Sequence, residues 1–203
     1  MSDSMYAMRN YRKTVVTALL AAGAFGLAGC DGEGGNSVDL PSDQAKTDQT
    51  DADQPEVDKA QGRAGTRDNP YPVGSTIKGK EWEVTINSVT LGANDAVAAE
   101  NQFNDPPPEG KQYALVNITA TYVGTESSTP WVTIKYVGAD GSTASSYDAS
   151  AVVPDEFNSY TELYQGGSAT GNIALLVPIE APETGALSVE PDMIGDKSFV
   201  AIQ

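Results

Sequence analysis

From residue 65 to the C-terminus, apolar and polar residues alternate with a period of two, the mark of half-buried strands. Residues 81–91 place Trp82, Val84 and Ile86 on one face and Glu81, Glu83 and Thr85 on the other. Residues 112–123 repeat the pattern, with Ala114, Val116, Ile118, Ala120 and Tyr122 against Asn117, Thr119 and Thr121. Residues 131–137 align Val132, Ile134 and Tyr136, and residues 168–179 align Ile173, Leu175, Val177 and Ile179. Shorter strands are predicted at 75–78, 145–153, 186–189 and 198–202. Asp140-Gly141 marks a hairpin, because both residue types tolerate the positive φ that such a turn requires. The helical stretch is residues 96–102, with Asp95 as its expected N-cap. Without crossover helices a parallel sheet is excluded. About eight strands separated by Gly, Pro, Asn and Asp predict an all-β, antiparallel β-sandwich.

The first 64 residues follow other rules. Arg9, Arg12 and Lys13 precede an apolar run over residues 15–27, and small residues close it. That is the layout of a signal peptide over residues 1–29, too short for a membrane span of about 20 residues. The basic segment lacks an Arg-Arg pair, which points to the general secretory route. Met1, Met5 and Met8 leave the true start codon open. Residues 30–64 then hold nine acidic residues against Lys46, Lys59 and Arg63, with few large apolar side chains. Such a segment cannot offset its ordering entropy by burial, so a disordered acidic linker is expected, spanning roughly 30 Å. The domain proper is residues 65–203.

Leu27-Ala28-Gly29-Cys30 resembles the lipobox of bacterial lipoproteins, and Cys30 is the chain's only cysteine. The resemblance implies that the Cys30 thiol takes a diacylglycerol and becomes the mature N-terminus. The expected location is therefore the extracytoplasmic face of the cell membrane, with the membrane as a partner through the lipid on Cys30. Several acyl chains on one residue anchor stably where one is marginal.

The domain also carries a family likeness. Gly65-Thr66-Arg67-Asp68-Asn69-Pro70 with Pro72-Val73-Gly74 and Trp82-Glu83-Val84, the passage from Glu100 to Tyr113, and Leu163-Tyr164-Gln165-Gly166-Gly167-Ser168 with Gly171-Asn172 carry it. Together they resemble a group of secreted bacterial lipoproteins of uncharacterised function, whose telokin-like, immunoglobulin-like β-sandwich is related to a secreted antigen. The resemblance implies an immunoglobulin-like sandwich and implies no activity. It also implies that Ala149 and Ala174 stand where many relatives pair two cysteines.

Charge and composition narrow the chemistry. Lys and Arg total 12 against 28 Asp and Glu, a formal charge of −16, which argues against nucleic-acid binding. Without histidine, Ser-His-Asp triads, Cys-His dyads and histidine-bound zinc are excluded. Ser75-Thr76-Ile77-Lys78 matches S-x-x-K, but that chemistry needs a helix, and the segment reads as a strand. Glu81 and Glu83 read as the wet face of a strand, and no set of carboxylates has calcium-ligand spacing, so no metal site, cofactor or catalytic residue is expected.

The remaining candidate is the long loop over residues 93–110, since long loops in compact domains often bind. Asn101, Phe103 and Asn104 beside the rigid Pro106-Pro107-Pro108 could offer an aromatic anchor with amide donors. The simpler expectation is that Phe103 folds back to plug the open end of the sandwich. Trp82 and Trp131 are expected in the core or packed at its rim, and Tyr147, Tyr160 and Tyr164 near Phe157 as a surface patch. The function expected is a non-enzymatic, lipid-anchored binding domain whose partner is an envelope protein or a cell-wall polymer. The alternatives are an accessory subunit of an envelope complex and, behind it, a carboxylate-only glycan hydrolase.

Overall fold

The computed structural model describes residues 37–39 and 64–203; the expected signal peptide, Cys30 and, apart from Ser37–Asp39 and Ala64, the expected linker lie outside the described residues. The first half of the chain forms β1 (Ser37–Asp39), β2 (Thr76–Lys78), β3 (Trp82–Thr90), α1 (Asn94–Glu100), β4 (Lys111–Tyr122) and β5 (Ser127–Ser128). The second half adds β6 (Thr133–Val137), β7 (Thr143–Ser145), α2 (Ser146–Ala149), β8 (Leu163–Tyr164), β9 (Ser168–Pro178), β10 (Ala186–Glu190) and β11 (Ser198–Ala201). A five-stranded sheet runs in the order β1-β2-β3-β4-β9, a four-stranded sheet in the order β11-β10-β6-β7, and β5 and β8 make a separate ribbon. Every pairing between these strands is antiparallel.

The expected β-sandwich is what the chain forms. One apolar core joins the facing sides of both sheets: Trp82, Val84, Ile86, Val116, Ile118 and Leu175 from the larger, Ile134, Tyr136, Leu187, Val189 and Val200 from the smaller. Alternation set these faces, because a one-residue slip would move each strand's apolar set to water. Each fully buried aliphatic side chain contributes about 1.5–3 kcal/mol. Trp82 and Tyr122 anchor one end of the core, with rings 4.9 Å apart and tilted by 49°. The last strand closes on the first residues of the domain: Tyr71 N–H donates to Phe199 O (2.8 Å), Ala201 N–H to Tyr71 O (2.7 Å) and Phe199 N–H to Gly65 O (2.9 Å).

Four local expectations are corrected. The strand predicted over residues 145–153 stops at Ser145. There the Ser145 backbone N–H and hydroxyl both donate to Asp148 Oδ2 (2.6 and 2.9 Å), a capping box that starts α2. The predicted helix begins two residues earlier, at Asn94, and Asp95 is not its N-cap; Ala93 holds that place, with no side-chain cap. Ile179 lies beyond the end of β9 and is exposed, rather than sharing the face of Leu175 and Val177. Within the acidic segment, Ser37–Asp39 is a strand: Val38 pairs with Ile77 and packs on the core, and Lys78 Nζ meets Asp39 Oδ2 at 2.7 Å.

A second, smaller core lies on the outer face of the larger sheet. Tyr113 and Leu115 of β4 and Ala174 of β9 point away from the sandwich and are covered by Ala93 and Val97 from the α1 side and by Ala149 and Val153 from the α2 side. Ala149 and Ala174 share this cluster.

The loops sort to two ends. The β2–β3 turn, the end of β4, the β5–β8 ribbon and the β10–β11 loop share one. Val123 N–H donates to Glu81 O (2.8 Å) and Gly166 N–H to Tyr122 O (2.8 Å) there. Asp192 of the β10–β11 loop accepts from the N–H groups of Lys80, Glu81 (3.1 Å) and Trp82 (3.2 Å). The β6–β7 hairpin is at the opposite end, where Arg67 donates to Gly138 O (2.6 Å).

Candidate binding surface

The start of α1 and the loop after α1 are held to β4 by several independent bonds. Ala93 N–H donates to Tyr113 O (2.9 Å), and Tyr113 N–H donates to Asn94 Oδ1 (2.8 Å). The buried Tyr113 hydroxyl donates to Asp105 O (2.9 Å). Burial first, and the Asp105 charge second, push its pKa above the usual tyrosine value, so it stays a donor. Lys111 N–H donates to Pro108 O (3.0 Å) as the loop returns to β4.

Asn104 is the centre of this bracing. Its Nδ2 donates to Val97 O and Val152 O, both at 2.7 Å, and its Oδ1 accepts from Val152 N–H at 3.0 Å. Asn104 therefore ties α1 to the segment after α2 and has no free amide for a partner. Asn101 is local too: its Oδ1 accepts from Phe103 N–H (3.0 Å), and its carbonyl accepts from Asn104 N–H (3.0 Å). These bonds fix the backbone on both sides of Phe103 and turn its ring outward.

Phe103 is 83% exposed. The expectation that it plugs the end of the sandwich is overturned, because a ring this exposed fills no interior space. Pro106 and Pro107 line a hollow of about 210 Å³ with Asn94, Asp95, Val97, Ala98, Asn104, Asp105 and Tyr113. Ligand pockets for drug-sized molecules run to about 300–1,000 Å³, so this hollow suits one small group at most. Pro108 is exposed and positions the return to β4.

Alternation alone did not bring α2 to this surface. Tyr147, 90% exposed on α2, and the half-exposed Val152 belong to the same layer as Phe103. The signal was in the chain: Ser145-Ser146-Tyr147-Asp148 is a capping-box spacing. The expected aromatic patch does not form as one unit. Phe157 packs against the main core, Tyr147 lies on α2, and Tyr164 lies in the β5–β8 ribbon. Trp82 is buried as expected, whereas Trp131 is 58% exposed.

Other candidates resolve individually. Ser75 is fully buried while Lys78, on the outer face, pairs with Asp39 and lies 3.8 Å from Glu83. The S-x-x-K residues are therefore not arranged as nucleophile and base. Glu81 is exposed and Glu83 is drawn into the Lys78 pair. Among the described residues no group of three or more Asp, Glu or Cys side chains is placed to hold a metal ion. No described helix is long and apolar enough to cross a membrane.

The rest of the larger sheet's outer face is polar. Thr76, Thr85, Thr119 and Thr170 fall in register across four neighbouring strands, with Oγ1–Oγ1 distances of 2.8 Å for the first and last pairs. Asn87, at a bulge between Ile86 and Ser88, donates to Asn117 and Thr119; Asn117 in turn donates to Asn172. These groups satisfy one another.

No family model matches the chain, and no curated protein matches it. Among solved structures it is similar to an uncharacterised β-sandwich protein from Clostridium difficile 630. Identity is 14%, over 74% of this chain and all of that one, with a TM-score of 0.45. It is also similar to a conserved hypothetical protein from Bacillus anthracis, at 17% identity over 63% of this chain and 94% of that one, with a TM-score of 0.44.

Proposed function

We propose that this β-sandwich is a non-enzymatic binding domain, exported by the general secretory route and anchored by lipid on Cys30 to the extracytoplasmic face of the membrane. Its contact with an envelope protein or cell-wall polymer centres on Phe103. One observation carries the reading: a large aromatic ring stands exposed on a loop whose backbone is locked on both sides of it. A rigid, exposed aromatic side chain costs little entropy to bury, which is why such residues dominate the centres of interfaces. The lipobox-like Leu27-Ala28-Gly29-Cys30 supports the anchor.

The test compares wild type and Phe103→Ala as full-length chains. Photo-cross-linking in intact cells and co-sedimentation with isolated cell-wall polymer read the two partner classes. A partner or polymer held by wild type and lost in Phe103→Ala is the expected result. Equal capture by both chains would move the contact away from this loop. For the anchor, Cys30→Ala is expected to release the protein from membranes, and retention as firm as wild type would overturn it.

A further inference from the structure

Five exposed apolar or aromatic side chains collect at the end of the sandwich opposite the β6–β7 hairpin. Trp131 lies two residues before β6, Tyr164 lies in the β5–β8 ribbon, Val123 follows β4, and Met193 and Ile194 follow Asp192 in the β10–β11 loop. Ile194 is 88% exposed and Met193 66%. These loops are fixed to one another: Asp192 binds the β2–β3 turn, Val123 binds Glu81, and Tyr164 pairs with Ser127.

The same end is where the N-terminal chain arrives. In β1, Ser37 pairs with Lys78, the last residue of β2 before the turn that Asp192 grips, and the strand then runs away from that end. Only seven residue steps separate Cys30 from Ser37. At about 3.3–3.6 Å per residue they reach at most about 25 Å, however extended. A lipid on Cys30 would therefore keep this end within about 25 Å of the bilayer, rather than at the end of a linker running to residue 64.

We propose that the rim formed by Trp131, Tyr164, Val123, Met193 and Ile194 docks on the lipid surface, in the headgroup region, and fixes the orientation of the domain. The proposal rests on the lipid anchor at Cys30. Trp and Tyr suit that layer because one end of each side chain is apolar and the other makes hydrogen bonds. A covalent tether supplies the high local concentration that lets a small apolar rim bind at all. Glu81, Glu126, Glu162, Glu190, Asp192 and Asp196 stand at this end against Lys80 and Lys197, and Lys197 pairs with Glu190, so attraction to the lipid is apolar and should weaken on anionic lipid. Docked this way, the β6–β7 hairpin end points away from the membrane.

The experiment uses the full chain purified from bacterial membranes. Mass spectrometry of the peptide containing Cys30 first reports whether lipid is attached. The protein is then reconstituted in phosphatidylcholine vesicles with and without brominated acyl chains, and tryptophan emission is recorded. Trp82 is buried in the core, so Trp131 is the residue that responds. Expected are a blue shift of Trp131 on reconstitution and loss of its emission with brominated lipid, both absent in Trp131→Phe. Met193→Glu with Ile194→Glu should abolish the quenching while the lipid stays attached. Replacing part of the phosphatidylcholine by phosphatidylglycerol should reduce it at low salt.

A lipidated chain whose Trp131 escapes bromine and remains open to acrylamide overturns the docking and leaves the anchor standing. Trp131 shielded from acrylamide but untouched by bromine means that protein, such as a second copy, covers the rim, and overturns the lipid assignment. A Cys30 peptide without lipid overturns both.

Discussion

The side-chain amide of Asn104 forms with Val152 the two hydrogen bonds that one residue of a β-ladder would form, Nδ2–H to O at 2.7 Å and N–H to Oδ1 at 3.0 Å. A side chain thus substitutes for a strand where the backbone of the loop cannot pair. Because the same Nδ2 also reaches Val97 O, removing the amide uncouples α1, the long loop and α2 together.

Asn104→Ala is expected to lower stability by about 1–3 kcal/mol, since it strands polar groups that now pair. Phe103→Ala should stay within about 0.5 kcal/mol of wild type, because the ring is exposed and supports nothing. Urea unfolding of the two variants separates the brace from the displayed residue. A large loss in Phe103→Ala would mean that the ring supports the fold, and would count against a displayed contact.

Asp192 holds the β2–β3 turn through three backbone N–H groups, and a β-carbon on Gly79 would overlap its carboxylate. Asp192→Ala should therefore cost about 1–3 kcal/mol. Gly79→Ala should also destabilise, by pushing the carboxylate off the turn. If the two effects share that cause, the double variant will lose less than the sum of the singles. Full additivity in urea unfolding would refute the shared cause.

Acid should melt α2 locally before it unfolds the sandwich. The Ser145 backbone N–H, and then its hydroxyl, hold Asp148 below its ordinary value of 3.8. The Ser142 hydroxyl and then its N–H do the same for Asp140 in the β6–β7 hairpin. A lowered folded pKa gives stability that is present above about pH 4 and lost as pH falls through the lower folded value. Amide exchange at Ser145 and Tyr147 should accelerate in that window, and Asp148→Asn should remove the pH dependence of the acceleration. An unchanged pH profile in Asp148→Asn would refute the assignment.

The alkaline limit has the opposite sign. Burial raises Tyr113 and Tyr136 above the ordinary 10.0, with the charge of Asp105 adding to the first and those of Asp140 and Glu183 to the second. Their contribution is present below pH 10 and is lost as pH rises through the raised values. Each hydroxyl would then lose its donated bond, to Asp105 O or to Pro182 O (3.2 Å). In an absorbance titration Tyr113→Phe and Tyr136→Phe should each delete signal from the latest-ionising part of the curve. Loss from the earliest part instead would show that the buried hydroxyls are not the shifted ones.

The long strands were legible because every second residue had one environment: Val84 and Ile86, or Val116, Ile118 and Ala120, could point only inward. The outer mini-core was not, because Tyr113 and Leu115 interrupt the alternation of β4, and only the distant α1 and α2 explain them. In α1, Asn94 spends its side chain on Tyr113 rather than on a cap, so the usual start signal misplaces the helix. For β1, Ser-Val-Asp carries almost no local strand signal. Its pairing is decided by Ile77 and Lys78, some forty residues away, which no window along the chain contains. At the candidate site, Phe103 was found by loop length and residue type. The roles of Asn104 and Val152 needed the fold.

The seating of Tyr71 between Phe199 and Ala201 has a kinetic consequence. A domain whose first residues are held by its last strand cannot close while its C-terminal residues are still confined, whether in a ribosome or in a translocation channel. Long-range closures of this kind come late, because the loop entropy is lost before the contact forms. Closure of the sandwich therefore waits until β11 is free to pair with the segment around Tyr71. Removing residues 198–203 should leave it in that unclosed state.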